Sequence, residues 1–408
     1  ARQPARRVRR RRRRTDDGRP LISISLTSIV QTDDAAALGA ALLARIHAGA
    51  DAPLADAEFN ALALAVFAHQ YRHNAIYRAF CERRGARPDT VTHWLEVPAV
   101  PTDAFKAAPL LCGDAEDAVA VFRTSGTTAG AARRGQHYFP DLALYDAALR
   151  AGFRRHLLPE GGPMRMLALV PPRAEAPDSS LAHMVEAVVA DFGAPGSGYY
   201  LREGRVDAAG LVAALAEATT AGEPVCLLGT SFAFVHLLDA WAAEGLMLEL
   251  PHGSRVMDTG GFKGRSREVT RAELYAGLEA ALGIAPEWCV NEYGMTEMSS
   301  QFYDTVAGDP AGADLEARRH RGPAWVRTVA VDPETLAPLP AGRPGLLRHD
   351  DLANLGSVMA LQTQDLGICG EDGSFRLLGR APGAEARGCS IAMDELLSAM
   401  AASPRAGG

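Results

Sequence analysis

The amino-acid sequence predicts an α/β fold, with parallel strands flanked by helices and a smaller β-rich subdomain towards the C-terminus. Three observations predict it. From about residue 119, short apolar runs alternate with helical periodicities, the pattern of strands buried on both faces. Across 31–90, apolar residues recur at three- and four-residue spacing, which predicts helices. In 327–354, "RTVAVDPETLAPLPAGRPGLLRHDDLAN" sets Pro and Gly turn chemistry between short strands.

Taken in chain order, residues 1–20 form an Arg-rich extension expected to be disordered, because nothing in it can build a core. Residues 21–118 form a helical N-terminal region, in which "DAEFNALALAVFAHQYRHNAIYRAFCERRG" has a carboxylate start and a glycine stop. It ends in "HWLEVPAVPTDAFKAAPL", whose prolines predict a largely extended segment. In the core, 119–400, the strands are "AVAVF", "MRMLALV", "PVCLLGT", "SRVMDTGG" and "EWCVNEYG", and the helices are "LAHMVEAVVADFG" and "RAELYAGLEAALG". The β-rich subdomain is expected at about 322–380.

At 408 residues, 48% hydrophobic and 22% charged, the chain is long enough for a sizeable core and has no apolar run that would span a membrane. Its six cysteines form no CxxC pair, which argues against structural zinc or a disulfide framework and for a reducing, cytoplasmic setting. Residues 1–14 hold nine of the 42 cationic side chains and no acid. The remainder therefore sets 33 cationic against 49 acidic groups, a net charge of −16. Such a tail can neutralise phosphates, yet its composition is better read as that of a solvated extension, and no nucleic-acid partner is expected. Together with Leu21–Val30 it mimics an export signal, but Asp16, Asp17 and Pro20 spoil the pattern. Only two lysines occur, Lys106 and Lys263, in a chain otherwise cationic through Arg.

Four segments carry chemistry. In "VFRTSGTTAGAARRGQHYF" (121–139) a strand runs into a Ser/Thr/Gly loop that offers backbone N–H groups and small hydroxyls to phosphates, with neither the GxxxxGK[ST] nor the GxGxxG pattern. The segment "MDTGGFKGRSRE" (257–268) pairs two glycines, which allow close approach to a flat ligand, with nearby cations. In "VNEYGMTEMSSQFYD" (290–304), an aromatic, a glycine and a Thr-Glu pair can supply a stacking face, a hydroxyl and a carboxylate for a metal. The fourth comprises "TQDLG" (363–367) and "LLGRAPGAEARGCS" (377–390), where Asp365 and Arg380 can hold sugar hydroxyls. Any one of these alone reads as a turn.

In this order and spacing, "TSGTT-G", "YGMTE", "DLG" and "GR" resemble the core motifs of the adenylate-forming superfamily of acyl-CoA synthetases, luciferases and peptide-synthetase adenylation domains. "VPAVPTDAFK", "SSLAHM", "GGFKGRSRE", "NEYGMTEMSSQFYD" and "RGCS" are similar to its acyl-protein synthetase branch, the LuxE-like ligases, over about residues 90–390. The resemblance implies ATP and Mg²⁺ as cofactors. It implies that Thr124, Ser125, Gly126, Thr127, Thr128 and Gly130 wrap the phosphates. Gly260 and Gly261 would flank adenine, with Lys263 close by and Tyr293 stacking on it. Thr296 would touch the phosphate, Glu297 would hold Mg²⁺, and Asp365 and Arg380 would take the ribose. His183 would line the acyl site, a position at which a core or capping histidine is an equal reading.

Two departures from the wider superfamily stand out. Arg133, Arg134 and His137 follow the phosphate loop where a lysine is usual, and only 28 residues follow Arg380, so the swinging C-terminal domain is expected to be lacking or vestigial. The resemblance implies that a carboxylic acid, long-chain fatty acid being the family expectation, becomes acyl-AMP. The acyl group would then pass to Cys389, whose thiol Arg387 would acidify, and on to an acyl-accepting partner protein such as an acyl reductase. An acyl- or aryl-CoA ligase or a carrier-protein acylating ligase is the alternative, and a catalytically silent nucleotide-binding or nucleic-acid-binding module is the rival from another class.

Overall fold

The computed structural model describes residues 35–124, 134–260, 269–381 and 387–402. The Arg-rich extension and most of the two loops with phosphate- and adenine-side motifs lie outside them. The described residues open with three helices, α1 (Ala35–His47), α2 (Asp56–His73) and α3 (Ala75–Arg83). Asn74 separates the last two and caps α3 by accepting the N–H of Tyr77 at 3.0 Å.

The proline-punctuated segment that follows is not extended throughout. It folds into 3₁₀ turns at Trp94–Glu96 and Thr102–Lys106 on either side of a two-residue strand, β1 (Val100–Pro101). The first turn forms because His93 caps it and Glu96 reaches back to the backbone N–H of Thr92 and His93. Strand β2 (Ala120–Arg123) pairs antiparallel with β3 (Gln136–Phe139) as a separate ribbon outside the main sheet. Helix α4 (Ala143–Leu157) leads into β4 (Arg165–Leu169), α5 (Ser180–Phe192), β5 (Gly198–Tyr199) and a small hairpin of β6 (Leu201–Arg202) and β7 (Arg205–Val206). Then come α6 (Ala208–Ala221), β8 (Val225–Thr230), α7 (Ser231–Glu244), β9 (Arg255–Thr259), α8 (Arg271–Leu282), β10 (Cys289–Tyr293) and β11 (Phe302–Tyr303).

The main sheet runs β11-β10-β9-β8-β4-β5, parallel except for β11. Strand alternation sorts its core into two layers. Val225, Leu227, Val256 and Cys289 face α6, α7 and α8, whereas Cys226, Leu228, Met257 and Val290 face α4 and α5. Burial on both faces explains why these strands read as unbroken apolar runs.

The second sheet is built from β12 (Val326–Val331), β13 (Pro344–Asp351), β14 (Ala360–Cys369) and β15 (Phe375–Arg380), all antiparallel. Strand β1 joins it, pairing parallel to β14 and tying the N-terminal helices to this half. A final helix, α9 (Arg387–Ala402), packs on α3 and β1. Among the described residues, no helix is long and apolar enough to cross a membrane.

Candidate active site

Ligands of open parallel sheets sit beyond the carboxyl ends of the strands. Here Thr259 ends β9, Glu292 lies one residue from the end of β10, and both open into a cleft of about 560 Å³ whose far wall is β14 and β15. That volume suits a small-molecule site. Five residues singled out from the sequence, Thr124, Thr296, Glu297, Asp365 and Arg380, line it together. Asp365 and Arg380 sit opposite one another in the β14–β15 register, which explains how residues fifteen apart share one wall.

At one end, Thr124 closes the neck of the Ser/Thr/Gly loop. Its hydroxyl accepts the N–H of Gly135 at 2.8 Å, and its own N–H donates to the Gly135 carbonyl at 3.0 Å. A Cβ on Gly135 would stand 3.1 Å from Thr124 Cγ2 and 3.6 Å from Glu297 Oε1, so glycine there lets the neck approach the carboxylate. Burial raises the Glu297 carboxyl to about 7, against the opposing pull of Lys106 and Arg380. Lys106 donates to Asp103 Oδ1 at 2.7 Å, and Asp103 Oδ2 accepts from Gln364 Nε2 at 2.7 Å, so β14 braces the turn that carries the lysine.

Of the cations that follow the loop, Arg133 lies outside the described residues and the other two are otherwise occupied. Arg134 donates to the Thr124 carbonyl and, at 2.8 Å, to Asp178. His137 is buried with Nδ1 2.8 Å from the Thr296 carbonyl, and burial lowers its pKa to about 4, so it stays neutral. Lys106 stands as a cation in the cleft itself.

Two expected contacts are corrected. Tyr293 does not line the cleft as a free stacking face. Its ring is enclosed by Phe302, His320, His349 and Phe375, with centroids 5.3–5.8 Å away, and it acts on the site through its hydroxyl, which donates to Asp365 Oδ2 at 2.9 Å. His183 does not line it either. It packs against Phe122 and Tyr145 with Nε2 2.7 Å from Asp146 Oδ1, while its neighbour Met184 faces the cleft. The helical period decides this, since Leu181 and Met184, three residues apart, share the face of α5 that lines the cleft, and His183 falls on another. Gly260 follows β9 with φ of 80°, a conformation that favours glycine. Ser125, Gly126, Thr127, Thr128, Gly130, Gly261 and Lys263 lie outside the described residues.

Comparison with known proteins agrees with this architecture. The family described as "Acyl-protein synthetase, LuxE" matches residues 53–398. The chain belongs to the LuxE acyl-protein synthetase family. It is 23% identical over 358 residues to the long-chain-fatty-acid–luciferin-component ligase of Vibrio harveyi, covering 82% of this chain and 86% of that one. The same ligase of Aliivibrio fischeri is 24% identical over 314 residues, with 75% and 77% covered. Among solved structures, a 2-hydroxyisobutyryl-CoA ligase bound to its acyl-adenylate shares the fold, with a TM-score of 0.57 at 18% identity over 80% of this chain and 69% of that one. ATP-bound MatB from Rhodopseudomonas palustris aligns with a TM-score of 0.46 at 21% identity over 66% of this chain, which spans 49% of that protein. Family membership makes the chain a ligase with an adenylate-forming fold.

For an acyl-protein synthetase, the position of Cys389 is informative. It sits in the first turn of α9, 4% exposed, among Val331, Leu346 and Ala381, and its Sγ donates to the Thr363 carbonyl at 3.6 Å. Thr363 itself lines the cleft, so the thiol stands directly behind its wall. Burial, with Asp103 adding to it, pushes the thiol up to about 11. The expected acidification by Arg387 rests on a side chain outside the described residues. Sequence reasoning missed Asp103 and Gln364, weighed Glu292 only beside Glu297 as a motif carboxylate or a helix-start acid, and gave Lys106 no role. The one usable signal was the rarity of lysine.

Proposed function

We propose that this acyl-protein synthetase activates a carboxylic acid with ATP to acyl-AMP and then transfers the acyl group to Cys389 and on to a partner protein. The observation that carries the reading is the convergence of Thr124, Thr296, Glu297, Lys106, Asp365 and Arg380 on one cleft at the carboxyl edge of the parallel sheet. The Vibrio harveyi and Aliivibrio fischeri relatives are ligases for a luciferin component, which supports a protein acyl acceptor such as an acyl reductase.

A carboxylate cannot expel oxide, so it must be given a better leaving group. The acid's oxygen attacks the α-phosphorus of ATP, the bond to the bridging oxygen breaks, and pyrophosphate leaves. Lys106 and Arg380 offset the charge that builds on the phosphates, in a cleft where water is partly excluded. Asp365, held by Tyr293, binds the ribose hydroxyls.

Glu297 fits a magnesium site. Among the described residues no three His, Cys, Asp or Glu side chains cluster to hold a metal, and magnesium is commonly bound by one or two carboxylates with substrate phosphates completing its shell. When bound, the ion supplies neutralising charge at the phosphates. In the second half-reaction the Cys389 sulfur bonds the acyl carbon, the acyl–phosphate bond breaks, AMP leaves, and the thiol proton goes to solvent. A thiol buried behind Thr363 must leave that position to react.

The test is acid-dependent ATP–pyrophosphate exchange over a panel of acids, followed by intact mass of the wild type and Cys389→Ser. The expected result is exchange in both proteins, within about twofold, and an acyl adduct on the wild type only. The burial of Cys389 favours a second reading, in which a diffusible thiol such as CoA accepts the acyl group. Exchange without an adduct, combined with CoA-dependent turnover by Cys389→Ala, would establish that reading in place of self-acylation.

A further inference from the structure

Apart from Arg123, Arg134 and Asp178, which pair with one another, the side chains named here fall into two groups of different charge. Glu297, Lys106, Arg380, Asp103 and Asp365 share one, and all of them are accounted for by phosphate, ribose and metal. The other is formed by Glu292 and Thr259 at the strand ends, Tyr145 from α4, Leu181 and Met184 from α5, and Gln301. With the nucleotide placed against the first half, this second half receives the acyl portion.

It is not built for a plain alkyl chain. Glu292 is buried to 5% exposure, and its Oε2 takes the Thr259 hydroxyl proton, the only one that side chain has. Among the described residues, the groups that act on its charge are that hydroxyl and the carboxylate of Asp258, neither of them cationic. Gln301 is 8% exposed, and its Oε1 has no hydrogen-bond partner although it lines the cleft. The Tyr145 hydroxyl points to the Ser180 carbonyl at 3.5 Å. Glycine at 294 keeps the space beside Glu292 open, because a Cβ there would stand 2.4 Å from its Oε1 and 3.7 Å from Gln301 Cγ. Among the described residues, two buried acceptors thus flank one opening with no further donor to meet them, and a buried unmet acceptor is costly.

We infer that the acid this chain activates carries a hydrogen-bond donor on its acyl portion, a hydroxyl or an amino group, received by Glu292 and Gln301. The inference rests on the adenylation reading and specifies its substrate class. A site that hydrogen-bonds a substrate group rejects the analogue lacking it far more strongly than an apolar pocket rejects a missing methylene.

The experiment is ATP–pyrophosphate exchange with matched acids: dodecanoate, its β-hydroxy and β-amino forms, benzoate, and its hydroxy and amino forms. Wild type, Glu292→Ala and the near-isosteric Glu292→Gln are compared. One donor-bearing acid should exceed its plain partner by at least about tenfold in kcat/KM, and Glu292→Ala should erase that ratio through the KM of the acid. Glu292→Gln should keep the preference for a hydroxyl and lose it for an ammonium, which separates the two donors. Equal or better exchange with the plain acids would overturn the inference while leaving adenylation intact. So would a rise in the KM for ATP with acid selection unchanged, since the base amine would then be the donor. Exchange with no acid at all would remove the adenylation reading, and this inference with it. If Glu292→Ala fails to fold, the wild-type ratio and Glu292→Gln still decide.

Discussion

Glu292 and Glu297 lie five residues apart, are buried to a similar degree, and are both raised to about 7 by burial, yet they face opposite surroundings. Glu297 looks towards Lys106 and Arg380, which favour its ionised form. Glu292 has a hydroxyl and a second acid, Asp258, which disfavours it. The same side chain on one strand-to-loop segment can therefore serve as an anion among cations or as an acceptor awaiting a neutral or cationic donor. Residue type and burial do not separate the two roles; the neighbours do.

The sharpest way to break the comparison is to remove the anion that faces cations. Glu297→Gln keeps the shape and loses the charge, and acid-dependent pyrophosphate exchange at saturating ATP should fall by about 10²–10³. A loss of less than about threefold would remove Glu297 from the metal and phosphate machinery. The same substitution at Glu292 should change which acid is used far more than the rate with ATP.

How much of this was legible from the sequence follows the same division. The parallel sheet was, because burial on both faces leaves unbroken apolar runs such as "PVCLLGT", and no tertiary information is needed to see them. The residues that converge with Glu297 on the cleft, Thr124, Thr296, Asp365 and Arg380, came from a family resemblance. Roles set by side-chain direction did not. Tyr293 turns its ring into an aromatic cluster and offers only its hydroxyl, and His183 faces Asp146 while Met184 faces the cleft. Lys106 was visible as a rare lysine, but its entry into the site depends on a 3₁₀ turn where the prolines argue for extended chain, and on Asp103 reaching Gln364 across more than 250 residues.

Lys106 sharpens the comparison next, because its charge is what sets the Glu297 half apart. Lys106→Ala should lower exchange by about 10–10²-fold, and Lys106→Arg should recover part of it, since guanidinium keeps the charge but not the compact ammonium geometry. Asp103→Asn, which frees the lysine from its brace, should cost less than Lys106→Ala. Full activity of Lys106→Ala would leave Arg380 as the operative cation.

The smallest effect is on stability and depends on pH. Each carboxyl titrates near 4.5 unfolded and about 7 folded, so between those values the folded state holds more protons than the unfolded one. Its contribution is therefore fully present below about 4.5 and is lost as pH rises through about 7. Replacing either residue by Gln removes that loss, so each variant should gain on wild type by a few degrees in Tm between pH 5 and pH 8. The buried histidines, whose own shifts run the other way, are common to all three proteins and cancel in the difference. ATP with Mg²⁺ separates the two. Bound charge should hold Glu297 ionised, release its proton and abolish the pH-dependent gain of Glu297→Gln, while that of Glu292→Gln persists. A gain at Glu297 unaltered by ATP and Mg²⁺ would mean that this carboxyl does not meet the nucleotide, and the contrast between the two halves of the cleft would collapse.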